Sequence, residues 1–352
     1  MRSLLGWMAI LALVGCAAVP TAPPTPGFVK VEVLYATDRA RTGSARPAEM
    51  YGKGRGTLEQ GVAEVSIPHT HRAGEVESPS WWSFEASPDP AKHVVVMSAR
   101  ALDAEDFARA IGRTTLPWQR NVLVFVHGFG TSFEDAVRRT GQIAYDLKFP
   151  GTPIAYTWPS QGSLSPIGYT ADETNAEWTE AHLKQFLLDL KRSAGSGAKI
   201  HLVAHSMGSR ALTKVLRSIA ADNKEAIFNQ VVLAAPDIDR EVFVRDIAPA
   251  ILTTAQRTTL YASSQDKALK LSEEIHNYPR AGQSDPPLVL VRGLDTVDAS
   301  GVDTSALGHS YFAEEPLLLK DVFMLICQNR GPADRNLRAM TYSGAPYWAL
   351  QR

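Results

Sequence analysis

The sequence predicts an α/β fold: a mainly parallel central sheet flanked by helices, with an antiparallel N-terminal edge. Three observations carry this expectation. From Asn121 onward, short apolar runs alternate with helical patterns, as strands joined by helical crossovers do. Those runs are rich in Val, Leu, Ile and Ala with few polar interruptions, which suits strands buried on both faces. Ahead of them, Val29-Lys30-Val31-Glu32-Val33-Leu34-Tyr35 and Gly61-Val62-Ala63-Glu64-Val65-Ser66-Ile67 alternate apolar and polar, as half-exposed antiparallel strands do.

Taken in order, the chain opens with Met1-Arg2-Ser3 and an apolar run over residues 4–14, too short to span a bilayer and typical of an export signal. It ends in Leu13-Val14-Gly15-Cys16, which resembles the lipobox of bacterial lipoproteins. That resemblance implies a signal peptide over 1–15 and lipidation of Cys16. With Ala17 and no Asp after the cysteine, it implies a lipid-anchored protein of the cell envelope, at the outer membrane. Residues 16–27 are then the lipidated cysteine and a Pro-rich tether, about 30 Å long if extended at about 3.1 Å per residue. Residues 28–352 are read as one folded domain. Its one other cysteine, Cys327, has no intrachain partner for a disulfide and lies in an apolar helical run, as a small buried hydrophobe.

Residues 39–56 and 68–90 read as loops, and His93-Val94-Val95-Val96-Met97 as a further edge strand. His69 and His71 have no third ligand at a known spacing, so neither a metal nor a cofactor is expected. In the parallel unit, Val122-Leu123-Val124-Phe125-Val126 runs into His127-Gly128-Phe129-Gly130, and Ser132 opens a helix. Ile154-Ala155-Tyr156-Thr157-Trp158 is the next strand and 172–191 the next helix. Strands at 231–235 and 258–262 follow, Leu288-Val289-Leu290-Val291 is the last strand, and 317–327 the last helix. The tail from Asn329 carries no clear pattern.

Between a strand-like Lys199-Ile200-His201-Leu202-Val203 and a helical run over 209–221 lies Ala204-His205-Ser206-Met207-Gly208. It matches the G-x-S-x-G nucleophile elbow with Ala at the first position. That elbow is a strained strand-to-helix turn that exposes a serine hydroxyl at the top of a sheet.

The order of these features resembles the α/β-hydrolase fold: a strand into His-Gly-x-Gly, the serine elbow, strand-end acids, then a late histidine. More narrowly, five motifs are similar to the bacterial α/β-hydrolase family catalogued as DUF900. They are Tyr35-Ala36-Thr37-Asp38-Arg39, His127-Gly128-Phe129, Trp158-Pro159-Ser160, the elbow, and Pro236-Asp237-Ile238-Asp239. The resemblance spans roughly residues 28–325. It implies a serine hydrolase, esterase-like, with Ser206 as nucleophile and His309 as base, in Leu307-Gly308-His309-Ser310. Asp266 stands at the usual acid position; Asp237 and Asp239, or Asp295, Asp298 and Asp303, are the alternatives. The oxyanion donors it implies are the N–H groups of Met207 and Phe129. His205 is expected to pack behind the elbow. Trp158, Tyr169 and Phe133 are candidates both for walls of the cleft and for the core.

Neither the gap between Trp158 and the helix at Asp172 nor the one after Asp239 holds a helical lid domain. Pro159 to Ala171 is a loop with Gly162, Ser163, Pro166 and Gly168, so an open cleft for short- to medium-chain acyl esters is expected. The same triad also suits a thioesterase, a peptidase or an acyltransferase, and a non-catalytic binding lipoprotein is the rival of a different class. With 352 residues, a formal charge of −1 and no basic run, the chain gives no ground for a nucleic-acid partner; its expected partner is a small ester substrate, and its oligomeric state is not read from the sequence.

Overall fold

The computed structural model describes residues 26–79, 87–113, 120–223, 225–302 and 311–351. Cys16, Trp81, Trp82, Asp303 and His309 lie outside them. Among the described residues one eleven-stranded sheet organises the chain, in the order β10-β11-β9-β8-β7-β6-β4-β5-β1-β2-β3. Its strands are β1 (Phe28–Arg41), β2 (Tyr51–Pro68), β3 (Val95–Leu102), β4 (Asn121–Val126), β5 (Thr152–Thr157) and β6 (Lys199–His205). They continue as β7 (Phe228–Ala234), β8 (Ala255–Ala262), β9 (Leu294–Asp298), β10 (Arg338–Tyr342) and β11 (Ala345–Ala349).

From β1 across to β11 the neighbours pair in parallel, and β1–β2 and β2–β3 form the expected antiparallel edge. This is the α/β-hydrolase fold, with helices on both faces. On one face α3 (Pro166–Trp178), α4 (Glu180–Ala194) and α5 (Met207–Asp222) lie close together, and the apolar core under them takes Ile200, Leu202 and Ala204 of β6. The opposite core takes Val203 of β6 together with Leu318, Val322 and Leu325 of α10 (Pro316–Ile326). Alternate residues of one strand thus feed two cores, which is why the central runs read as continuous apolar stretches.

Several boundaries differ from the sequence reading. Residues 39–56 are largely not a loop: β1 runs to Arg41 and β2 starts at Tyr51, with Arg39 opposite Arg55 and Arg41 opposite Tyr51 across two register shifts. The extension is held by Arg41 against Glu59 at 2.6 Å and by Tyr51 packed on Tyr35 and Phe133. The helix expected from Asp172 is two: α3 starts at Pro166, capped by the Ser165 side chain on Gly168 N–H, and α4 follows Thr179. Proline at the first helical position and a serine cap favour that earlier start. An unforeseen helix, α1 (Ala104–Arg113), follows β3.

The apolar run 288–291 is not the last strand. Val289 is buried there, but its carbonyl accepts from the Thr296 hydroxyl at 2.6 Å, and the ladder to β8 is made by β9 instead. Asp295 and Asp298 therefore sit in a strand, not in a solvated loop. The C-terminal tail is not irregular either: β10 and β11 form a hairpin through Ser343 and Gly344, both at positive φ, and β11 joins β9 in parallel. A second antiparallel edge results.

Candidate active site

Strand β6 delivers the elbow. Ser206 has φ 52° and ψ −125°, a conformation a non-glycine residue adopts only under strain, and α5 begins at Met207. The turn is closed by Ser206 N–H on Ala234 O at 2.9 Å and by Ser209 N–H on Ser206 O at 3.0 Å. A Cβ on Gly208 would lie 2.3 Å from His127 O and 2.6 Å from Val126 O, so only glycine lets α5 sit against the end of β4. Ala204 is fully buried, and its methyl fits where the motif allows glycine.

The loop after β4 lies directly on this elbow. A Cβ on Gly128 would come 3.0 Å from the Ser206 Cβ and 3.2 Å from His205 Nδ1. Above them opens a cavity of about 690 Å³, lined on its floor by Gly128, Phe129 and His205 and at its mouth by Leu164, Lys267 and Leu271. Ser206 is only 2% exposed and follows His205 of the cavity lining. His205 thus faces the cavity and does not pack behind the elbow, because the last strand residue points to the open end of the sheet. Trp158 and Phe133 are core residues, and Tyr169 is buried under Phe129, ring edge to face at 5.2 Å; among the described residues Phe125 and Phe129 line the cavity.

Asp266 follows β8 and caps α8 (Lys267–His276), accepting from Leu269 N–H at 2.9 Å. It is buried beside Lys267 and Ala268 of the cavity wall. Three of the alternative acids are engaged elsewhere. Asp237 accepts from Arg280 at 2.8 Å, from the Tyr169 hydroxyl at 2.5 Å and from Ser272 at 2.7 Å, with Arg210 at 3.7 Å. Burial works to raise that carboxyl, but the two guanidinium groups overcome it and bring its pKa down to about 2. Asp239 caps α6 (Arg240–Val242) through Val242 N–H, and Asp295 pairs with Arg257 at 3.5 Å.

Met207 is the first residue of α5, so its N–H has no acceptor within the helix. Phe129 is carried on the loop that His127 braces: His127 Nδ1 is 2.7 Å from Gly128 O, its Nε2 is 3.2 Å from Trp158 N, and its ring stacks on Trp158 at 4.9 Å and 12°. Burial, then the nearby Arg39, hold the His127 pKa well below the usual range, so the ring is neutral. His71 lies between Glu77 and Asp146, each at 2.9 Å, and among the described residues no group of His, Cys, Asp or Glu is arranged to hold a metal ion. No helix among them is long and apolar enough to cross a membrane.

Two residues of this region had no role in the sequence reading, Arg39 and Asp172. Arg39 closes the Tyr-Ala-Thr-Asp-Arg motif at the top of β1, where a buried arginine reaches the loops after β4 and β5. Asp172 looked like the opening of a helix and is instead a buried residue of α3 that accepts from Gly130 N–H. The signals for Arg39 were its place in that motif and the charged pair Asp38-Arg39 after an apolar run.

A family model described as "Alpha/beta hydrolase of unknown function (DUF900)" matches residues 104–329. No curated protein matches. Among solved structures, a YdeN-like hydrolase from Pectobacterium atrosepticum is similar at 14% identity and TM-score 0.25, over 62% of this chain and 99% of its own. Esterase B from Lactobacillus rhamnosis is similar at 11% identity and TM-score 0.33, over 86% and 90%. The peroxisomal alpha-beta-hydrolase of Saccharomyces cerevisiae is similar at 10% identity and TM-score 0.34, over 87% and 90%.

Proposed function

The chain belongs to the DUF900 family of alpha/beta hydrolases, and we propose that it is a serine carboxylesterase that cleaves short- to medium-chain acyl esters through Ser206, His309 and Asp266. The observation that carries the reading is Ser206 itself: a serine at φ 52°, between a buried strand and a helix, next in the chain to His205 of the cavity lining and in contact range of a glycine loop. Strain of this kind, on the order of 1–3 kcal/mol, persists where function requires it.

In the proposed cycle the Ser206 hydroxyl adds to the ester carbonyl while His309 takes its proton, and Asp266 orients the imidazole. The carbonyl oxygen becomes an oxyanion that accepts from Phe129 and Met207 N–H groups. Collapse expels the alcohol, which takes the proton from His309, and leaves an acyl-Ser206 ester. Water, deprotonated by the same imidazole, adds to that ester and releases the acid and free Ser206.

Chain-length preference follows from what covers the cleft. Residues 158–165 join β5 to α3 and residues 235–239 join β7 to α6, so neither connection holds a helical lid. A cleft of about 690 Å³ with Leu164 and Leu271 at its mouth suits acyl chains of about two to eight carbons, each buried methylene adding up to about 0.8 kcal/mol. Lipidation of Cys16 would place this activity at the cell envelope.

A panel of p-nitrophenyl esters from acetate to palmitate tests the assignment. The wild type should turn over the short and medium esters, and Ser206→Ala, equally folded, should lose at least 10³-fold in kcat, as removal of a triad nucleophile does. Undiminished turnover by Ser206→Ala would move the chemistry elsewhere.

A further inference from the structure

We infer that Arg39 and Asp172 are positioning residues that hold the oxyanion donor at Phe129 in its working orientation, an inference that rests on the esterase reading of the Ser206 site. The argument starts from donors and acceptors. An arginine side chain has five N–H groups, and all five of Arg39 are directed at acceptors. Nε donates to Thr157 Oγ1 at 2.7 Å; Nη1 donates to Gly52 O at 3.1 Å and Ser160 O at 3.0 Å; Nη2 donates to Thr131 O at 2.7 Å and faces His127 Nε2 at 3.4 Å. The side chain is 2% exposed. None of its five partners is a carboxylate, so the guanidinium is not held by an ion pair. It is held by Gly52 of β2, by Thr157 of β5 and by the loops after β4 and β5, and by the same bonds it holds those loops.

Asp172 completes the clamp from the other side. One carboxylate oxygen accepts from Gly130 N–H at 2.9 Å and from the Ser160 hydroxyl at 2.5 Å; the other accepts from Gln161 N–H at 2.7 Å. The Ser160 oxygen in turn accepts from Thr131 N–H at 3.0 Å. Both residues that follow Phe129 are therefore fixed. Gly130 is tied to Asp172, and Thr131 is tied to Arg39 and Ser160.

The third fixed point is the peptide plane itself. The N–H of Phe129 belongs to the same planar trans unit as Gly128 C=O and points the opposite way. Trp158 N–H and the Arg39 guanidinium both face His127 Nε2, so that nitrogen is the acceptor and Nδ1 carries the proton. That proton is donated to Gly128 O, which fixes the carbonyl toward the imidazole and turns Phe129 N–H away from it. Such pre-orientation is what an oxyanion donor needs, since its effect lies in the transition state and not in ground-state binding.

The test combines a spectroscopic and a kinetic measurement. Long-range ¹H–¹⁵N spectra of the wild type should show His127 neutral with its proton on Nδ1. A proton on Nε2 would overturn the inference whatever the activity. Arg39→Lys keeps the charge but has three N–H donors in place of five and loses the planar fork that aims them. Asp172→Asn keeps the shape but leaves one acceptor oxygen where two backbone N–H groups need one each. Each should lower kcat about 10- to 100-fold per phosphonate-titratable site with KM changed less than about two-fold. Wild-type kcat in both, or a loss confined to KM, would overturn it; should Arg39→Lys not fold, Asp172→Asn and the tautomer decide. If the wild type hydrolyses no ester and takes no phosphonate, the esterase reading fails, and the tautomer still reports on the clamp.

Discussion

Ser206, Asp266 and Asp237 carry the argument at the scale of single residues. Asp266 and Asp237 both follow central strands, and their surroundings divide them. Asp237 is saturated by Arg280, Arg210, Tyr169 and Ser272, which makes it a structural anion. Asp266→Asn should then lower kcat by about 10⁴-fold with little change in stability, since the wrong imidazole tautomer follows from the loss. Asp237→Asn should do the reverse and destabilise by about 3–5 kcal/mol at pH 7, because it leaves two buried cations without their anion. The Asp237 pKa is depressed in the fold, to about 2, so its stabilisation is present above the ordinary carboxylate pKa and is lost as pH falls from about 4 through about 2. The stability gap between wild type and Asp237→Asn, read from urea melts, should accordingly narrow over that window. A gap that is constant from pH 6 to 2 would contradict the assignment. The place of Asp266 just after a central strand was legible; the saturation of Asp237 was not, because its partners Tyr169, Arg210, Ser272 and Arg280 come from four separate segments.

Elements explain what the sequence showed and what it hid. The elbow strand, its helix and the helix opened by Ser132 were legible because each carries a local signal: an apolar run, a strained small-residue turn, and a capping box between Ser132 and Asp135. Residues 288–291 misled because an apolar run reports burial, and Val289 achieves burial outside the ladder while the polar-interrupted β9 makes it. The β10–β11 hairpin was hidden because its residues are mostly half-exposed at a sheet edge, where alternation is weak. At this scale the contact between the β4 loop and the elbow is the feature to test. Gly128→Ala places a methyl 3.0 Å from the Ser206 Cβ, so loop and elbow must separate by a few tenths of an ångström. We expect a kcat loss of about 10–100-fold, as for a misplaced oxyanion donor. Full activity in that variant would mean that Phe129 N–H is not used.

At the scale of the whole molecule, the sheet gives the protein two ends. Ser206, Gly128 and Asp266 all follow the C-terminal ends of parallel strands, as ligand sites in open α/β sheets do. β1 pairs with β5 in parallel over residues 34–37, so Phe28 lies toward the other end of the sheet. The proposed anchor would therefore hold the cleft away from its own membrane, toward soluble esters. Cys16→Ser should move the protein from the membrane to the soluble fraction without changing kcat on p-nitrophenyl butyrate; a wild type already soluble after export would remove the anchor from the account. Rates on tributyrin should rise smoothly through its solubility limit, and a jump there would reveal a lid. The most direct measurement is of the nucleophile: treat the purified protein with a fluorophosphonate and map the adduct by tandem mass spectrometry. The account predicts one adduct per chain, on Ser206, absent from folded Ser206→Ala. An adduct on another residue, or none on a well-folded wild type, would contradict it.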